Sequence, residues 1–127
     1  MRKIALIDDA EDNRDFLYYL LRDEFKVSRY GSGEEALQHF GLDTPDLIVM
    51  DIWLPGIDGI EVLKRLRDDQ SLTEIPILAL TANAMSGDRE KYLAAGFDEY
   101  AAKPIVDIHE FLATVRRLLA VRRRPTQ

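Results

Sequence analysis

Four short apolar runs in this chain each end on a residue that can do chemistry: Ile4-Ala5-Leu6-Ile7 on Asp8-Asp9, Leu47 to Met50 on Asp51, Ile77 to Leu80 on Thr81, and Tyr100-Ala101-Ala102 on Lys103. Runs of this length, separated by stretches of helical period, read as parallel strands of an open α/β sheet. The carboxyl ends of such strands lie along one edge, and that edge is where these sheets bind ligands. Three carboxylates, a hydroxyl and an ammonium then converge on one shallow pocket.

The punctuation between the runs supports the same alternation. The first strand covers about Lys3 to Asp8, and a helix follows from Glu11 to Asp23 on a stripe of Phe16, Leu17, Leu20 and Leu21. Lys26 to Tyr30 reads as a second strand, with the turn Gly31-Ser32-Gly33 before a helix over Glu34 to Phe40. Asp46 to Asp51 is a third strand, almost wholly aliphatic inside, as a central strand buried on both faces should be. Turn residues Leu54-Pro55-Gly56 and a capping Asp58 lead to a helix over Ile60 to Arg67. Ile77 to Thr81 is the fourth strand, and the next helix starts around Ser86-Gly87-Asp88 and stops at Gly96. Glu99 to Ala102 is the fifth strand, and Asp107 with Glu110 opens a last helix that runs to about Val121. Five strands alternate with five helices.

A chain of 127 residues fits one domain with one core. The expected division is a domain over 1–121 and a basic tail over 122–127. The absence of cysteine excludes a disulfide framework and a thiolate metal site and suits a reducing compartment, so cytoplasm is the expected location. No run approaches the roughly 18 apolar residues of a membrane span, and Met1-Arg2-Lys3-Ile4 runs straight into a strand-like segment, so a signal peptide is not expected. A net charge of -6 argues against direct DNA binding, although the charge is uneven. Every acidic residue precedes Arg116, and Arg116, Arg117, Arg122, Arg123 and Arg124 follow without a carboxylate. These arginines read as a helix end whose dipole favours cations, followed by a solvated terminus, in preference to a docking surface.

Taken singly, each marked residue has an ordinary explanation. Asp8 and Asp9 could cap a helix, Asp51 and Asp58 could be turn residues, Thr81 a strand residue and Lys103 a surface lysine. Four reactive residue types at the ends of four separate strands are hard to obtain from capping alone. Adjacent carboxylates repel one another unless a cation sits among them, and an all-oxygen set suits Mg²⁺, with Mn²⁺ able to substitute. His39 and His109 read as helix-surface residues, not ligands. With the metal on Asp8 and Asp9, Asp51 can act as a nucleophile toward phosphorus, forming an aspartyl phosphate. Thr81 can donate a hydrogen bond to one phosphoryl oxygen, and the Lys103 ammonium can pair with another.

These motifs resemble the receiver domain of two-component response regulators, the CheY-like family. They are Leu6-Ile7-Asp8-Asp9, then Val49 to Gly59 around Asp51, then Ala79-Leu80-Thr81-Ala82, then Lys103-Pro104, spread over almost the whole chain. The resemblance implies a flavodoxin-like (βα)5 doubly wound parallel sheet of order 2-1-3-4-5. It further implies that Asp51 takes its phosphoryl group from a histidine kinase or histidine phosphotransfer protein, a phosphorelay step that the module itself catalyses and reverses. By the same resemblance Mg²⁺ is held by Asp8, Asp9, Asp51 and the backbone carbonyl of Trp53, and the Lys103-Pro104 bond is cis. Thr81 and Tyr100 form the switch that alters the face of the fourth helix, fifth strand and last helix for a downstream effector protein, with the chain a monomer or a phosphorylation-linked dimer.

Some positions depart from common family usage. Trp53 stands two residues after Asp51 as a candidate screen of the phosphoryl group against water, so Trp53→Ala is expected to change its lifetime. Asn83 either tunes hydrolysis or is a loop residue, and Tyr30 is expected to pack. Leu80 to Ala95 is similar both to single-domain regulators of the DivK type and to hybrid-kinase receivers, so a stand-alone regulator and a receiver domain excised from a hybrid histidine kinase or multidomain regulator both remain open. A phosphorylation-independent pseudo-receiver is disfavoured by the complete acidic set. An Mg²⁺-dependent phosphatase of the haloacid-dehalogenase type requires an aspartate where Trp53 stands, and a nucleotide binder requires a glycine-rich phosphate loop that does not follow the first strand.

Overall fold

The computed structural model describes residues 1–82 and 84–120. Asn83 and the basic segment expected over 122–127 lie outside the described residues, as does Val121. The order of elements is β1 (Lys3–Ile7), α1 (Glu11–Leu21), β2 (Lys26–Tyr30), α2 (Gly33–Phe40), β3 (Leu47–Asp51), α3 (Gly59–Asp68), β4 (Ile77–Thr81), α4 (Asp88–Ala95), β5 (Glu99–Ala102) and α5 (Ile108–Ala120). All neighbouring strands are parallel, and their spatial order is β2-β1-β3-β4-β5. The chain thus winds outward from β1 in one direction and from β3 in the other, and the switch point falls between these two strands.

Side-chain alternation along the strands separates two cores. Ala5, Ile7, Ile48, Met50, Ile77 and Ala79 face α2, α3 and α4, where Phe40, Leu63, Leu66 and Tyr92 cover them. Ile4, Leu6, Leu47, Val49, Leu78 and Leu80 face α1 and α5, where Leu17, Leu21, Phe111 and Val115 close the other layer. β3 and β4 are buried at every position, whereas edge strand β2 exposes Lys26 and Arg29 and fully buries only Tyr30. Charges on an edge strand discourage pairing with another chain.

Several ends follow directly from capping. The Ser32 hydroxyl accepts from the Glu35 N–H at 3.2 Å, which starts α2 one residue before the expected Glu34. Asp58 and Asp107 each accept from the N–H three residues on, both at 2.9 Å, as anticipated for α3 and α5. α1 ends at Leu21 instead of Asp23, and Phe16 is 41% exposed. The buried line of that helix is Leu17 and Leu21, one turn apart, and Phe16 sits about 100° round the axis from Leu17, toward solvent. Tyr30 packs as expected, buried with its ring edge-on to Phe40 at 5.7 Å.

The two ends of the sheet are tied differently. At the amino edge, Arg67 donates to the carbonyls of Thr73, Ile75 and Gly96 at 2.8–2.9 Å and to Asp98 at 2.9 Å. Asp98 also accepts from the Ile77 N–H at 2.8 Å, so one ion pair pins the starts of β4 and β5. Arg2 donates to the Leu119 carbonyl at 3.2 Å, joining the start of β1 to the end of α5. At the carboxyl edge, the β3–α3 loop folds back so closely that a Cβ on Gly59 would stand 2.8 Å from the Ile52 Cα and 2.9 Å from the Asp51 carbonyl oxygen. Only glycine permits that approach, and it holds the loop after Asp51 tight against β3.

Candidate functional site

Parallel register brings the strand ends level, with Ile7 beside Met50, Asp51 beside Leu80 and Thr81 beside Ala102. Asp8 and Asp9 leave the end of β1, Asp51 ends β3, Thr81 ends β4, and Lys103 follows β5. One carboxylate oxygen from each of Asp8, Asp9 and Asp51 can be chosen so that all lie within 4.8 Å of one another. Asp8 and Asp51 are buried and Asp9 is exposed, so the cluster opens to solvent on one side.

The cluster contains its own cation. Lys103 Nζ lies 2.9 Å from Asp51 Oδ2 and 3.1 Å from Asp8 Oδ2. Burial alone would lower the Lys103 pKa, but the hydrogen bonds and charges of Asp51 and Asp8 together outweigh it and raise it above the usual lysine range. The Lys103 N–H donates to the Thr81 carbonyl at 2.8 Å, fixing the base of the side chain beside β4. The Lys103–Pro104 peptide bond is cis.

Asp8 is held at every oxygen. Its Oδ1 accepts from the Ala10 N–H at 2.9 Å, its Oδ2 from Asn13 Nδ2 at 2.5 Å, and its carbonyl from Arg14 at 2.7 Å. The capping role considered for Asp8 is not what the structure shows: its bond to the Ala10 N–H is an Asx turn ahead of α1, and α1 itself starts after Ala10 without a side-chain cap. Asn13 and Arg14 were not singled out from the sequence. Their signal was position: both lie in the first turns of α1, where a polar side chain can reach back to the preceding strand end.

Trp53 touches the site twice. Its main-chain N–H donates to Asp51 Oδ1 at 3.0 Å, and its indole N–H donates to the Thr81 hydroxyl at 3.0 Å. Thr81 is buried, whereas Trp53 is 57% exposed. Tyr100 lies farther along β5. Its ring stacks on Tyr92 of α4 at 5.7 Å, and Tyr92 meets Phe97 edge-on at 6.1 Å. Burial first, with help from the Asp88 carboxylate, pushes the Tyr100 phenol above its usual pKa.

The donor set fits a hard divalent cation. It consists of carboxylate oxygens without sulfur or imidazole, and three negative groups face one ammonium, leaving room for further positive charge. His39 and His109 are exposed on α2 and α5, away from the cluster, as anticipated.

A switch-point acidic cluster on a five-stranded sheet of this order defines a class, and the sequence comparison agrees: the chain belongs to the response regulator receiver domain family, whose model matches residues 4–116. The fold is accordingly the flavodoxin-like fold of CheY. Polar-differentiation response regulator DivK of Brucella ovis is 38% identical over 119 residues, covering 93% of this chain and 96% of that protein. The receiver domain of a sensor histidine kinase from Pseudomonas aeruginosa, solved with a magnesium ion coordinated in its active site cleft, is 32% identical with a TM-score of 0.83, covering 94% of this chain and 98% of that one. A chemotaxis response regulator of Vibrio cholerae is 27% identical with a TM-score of 0.84, covering 93% and 98% respectively. Among the described residues no helix is long and apolar enough to cross a membrane.

Proposed function

We propose that the chain is a phosphorelay receiver of a two-component system, in which Asp51 accepts a phosphoryl group from a phosphohistidine donor and the new charge changes the face offered to an effector. The observation that carries this reading is the Lys103 ammonium placed 2.9 Å from Asp51 and 3.1 Å from Asp8 within the three-carboxylate cluster. A carboxylate oxygen of Asp51 attacks phosphorus, the P–N bond to the donor imidazole breaks, and the electron pair leaves with the imidazole nitrogen. Lys103 exchanges one carboxylate for a phosphoryl oxygen, and Thr81 donates its hydroxyl hydrogen to another. Asp8, Asp9, Asp51 and the Trp53 carbonyl would hold Mg²⁺, or Mn²⁺ in its place. The bound ion supplies compensating charge for the phosphoryl oxygens.

Thr81 and Tyr100 are the switch residues in this reading, and output passes to the α4–β5–α5 face. That face carries a cleft of about 390 Å³ lined by Tyr100, Ile105, Phe111 and Arg117 among others. Glu99 crosses it with ion pairs to Arg89 at 2.6 Å and Arg117 at 2.8 Å. The donor is a histidine kinase or histidine phosphotransfer protein in the cytoplasm, and the receiver spans 1–121 as a monomer or phosphorylation-linked dimer. Likeness to the Pseudomonas aeruginosa kinase domain supports a second placement of the same chemistry, in the receiver of a hybrid kinase.

The test is intact mass after incubation with acetyl phosphate and Mg²⁺. A single phosphoryl adduct is expected for the wild type and none for Asp51→Asn or for a sample without metal. An adduct that persists in Asp51→Asn moves the acceptor elsewhere. No adduct from acetyl phosphate or from a phosphorylated histidine donor turns the reading toward binding by the unmodified protein.

A further inference from the structure

We propose that Trp53 is a positioning residue for Thr81: its indole N–H latches the Thr81 hydroxyl in the resting state, so that phosphorylation of Asp51 must compete with that bond. The inference rests on the reading of Asp51 as acceptor and adds a residue-level control to it. Tryptophan driven by burial hides its ring, yet this residue is 57% exposed while the one polar atom of its side chain is turned to the hydroxyl of Thr81, a residue 1% exposed. The hydrogen bond, and not packing, therefore sets where the ring lies. Thr81 is β-branched and stiff at χ1, so a partner that fixes its oxygen fixes the side chain.

The same residue also senses the acceptor directly. The Trp53 main-chain N–H is bonded to Asp51 Oδ1 at 3.0 Å, and its indole reaches Thr81, 28 positions along the chain, at 3.0 Å. A phosphoryl group on Asp51 would bring new acceptor oxygens between these two contacts. They draw off the main-chain N–H and accept the Thr81 hydroxyl hydrogen, and because Thr81 must turn to reach them, its oxygen leaves the indole N–H and the ring is released toward solvent. A screen against water needs only the bulk of the ring, whereas a latch needs its N–H. Trp53→Phe separates the two.

The experiment uses the full chain, Mg²⁺ and beryllofluoride as the tetrahedral phosphoryl mimic. Calorimetry should give a beryllofluoride midpoint about two- to tenfold lower for Trp53→Phe than for the wild type, the range expected when one ordinary hydrogen bond no longer favours the resting state. In the wild type, the indole N–H resonance should exchange slowly with solvent without the mimic. It should shift and exchange faster on adding it, as it should in Thr81→Val without it. Equal or weaker binding by Trp53→Phe, or an indole resonance indifferent to both the mimic and Thr81→Val, overturns the latch while leaving Asp51 as acceptor. Failure of the wild type itself to bind beryllofluoride removes the acceptor reading, and the latch falls with it.

Discussion

Arg67 at the amino edge of the sheet and Lys103 at the carboxyl edge are both largely enclosed cations paired with carboxylates, but their surroundings are balanced in opposite ways. Arg67 spreads four donated hydrogen bonds over three carbonyls and Asp98, and Asp98 is further satisfied by the Ile77 N–H. Lys103 serves two members of a three-carboxylate cluster, one of which opens to solvent. The first arrangement is closed and acts as a clamp between loops. The second is left short of positive charge at the edge where ligands approach, and under the proposed function that imbalance is what a metal ion and a phosphoryl group would use.

Substitutions at the two edges should therefore differ in sign. Arg67→Ala is expected to cost about 3 kcal/mol or more in urea unfolding, because it strands Asp98 and three loop carbonyls. A loss within about 0.5 kcal/mol, the range of ordinary surface substitutions, would erase the contrast. Asp9→Asn should instead stabilise the metal-free protein by about 0.5–1 kcal/mol through relief of like-charge repulsion. Mg²⁺ should raise the Tm of the wild type, and the same variant should lose most of that rise. Destabilisation by Asp9→Asn without metal would show that the cluster is already balanced.

A third site, on the α4–β5–α5 face, sharpens the comparison through pH. Burial pushes the Glu99 carboxyl upward, but hydrogen bonds from Arg117 and the Tyr100 N–H, with the charges of Arg89 and Arg117, together hold it below its ordinary value. A carboxyl lowered by folding adds stability above its unfolded pKa of about 4.3 and loses it as pH falls through the folded value. Glu99→Gln should thus be less stable than the wild type by about 0.5 kcal/mol at neutral pH, with the gap closing below about pH 4. A gap that persists undiminished in acid would assign the effect to packing.

The alternation of strands and helices was legible because each strand is an aliphatic run and each turn carries glycine, proline or a capping aspartate. The convergence of Asp8, Asp9, Asp51 and Lys103 followed from that alternation, since parallel strands of similar length bring their ends level. What escaped the sequence depends on contacts between distant residues. Arg67 reads as an ordinary cation at a helix end, and three of its four acceptors are main-chain carbonyls, which leave no mark on residue identity. Phe16 beside Leu17 reads as part of the stripe until the helix is packed and the angular difference decides. Trp53 suggests a shield from its size alone, while the direction of its N–H toward Thr81 is set by the fold of two separate loops.

The hydrogen bond from Arg2 to the Leu119 carbonyl has an architectural consequence. It places the beginning of the first strand and the end of the last helix at one corner, on the side of the sheet opposite the aspartates. A module joined beside Arg2 would be tethered at that corner and leave the rim around Asp51 unobstructed. The domain can therefore be carried on a larger assembly by its back with the front of the sheet, at Asp51, left open.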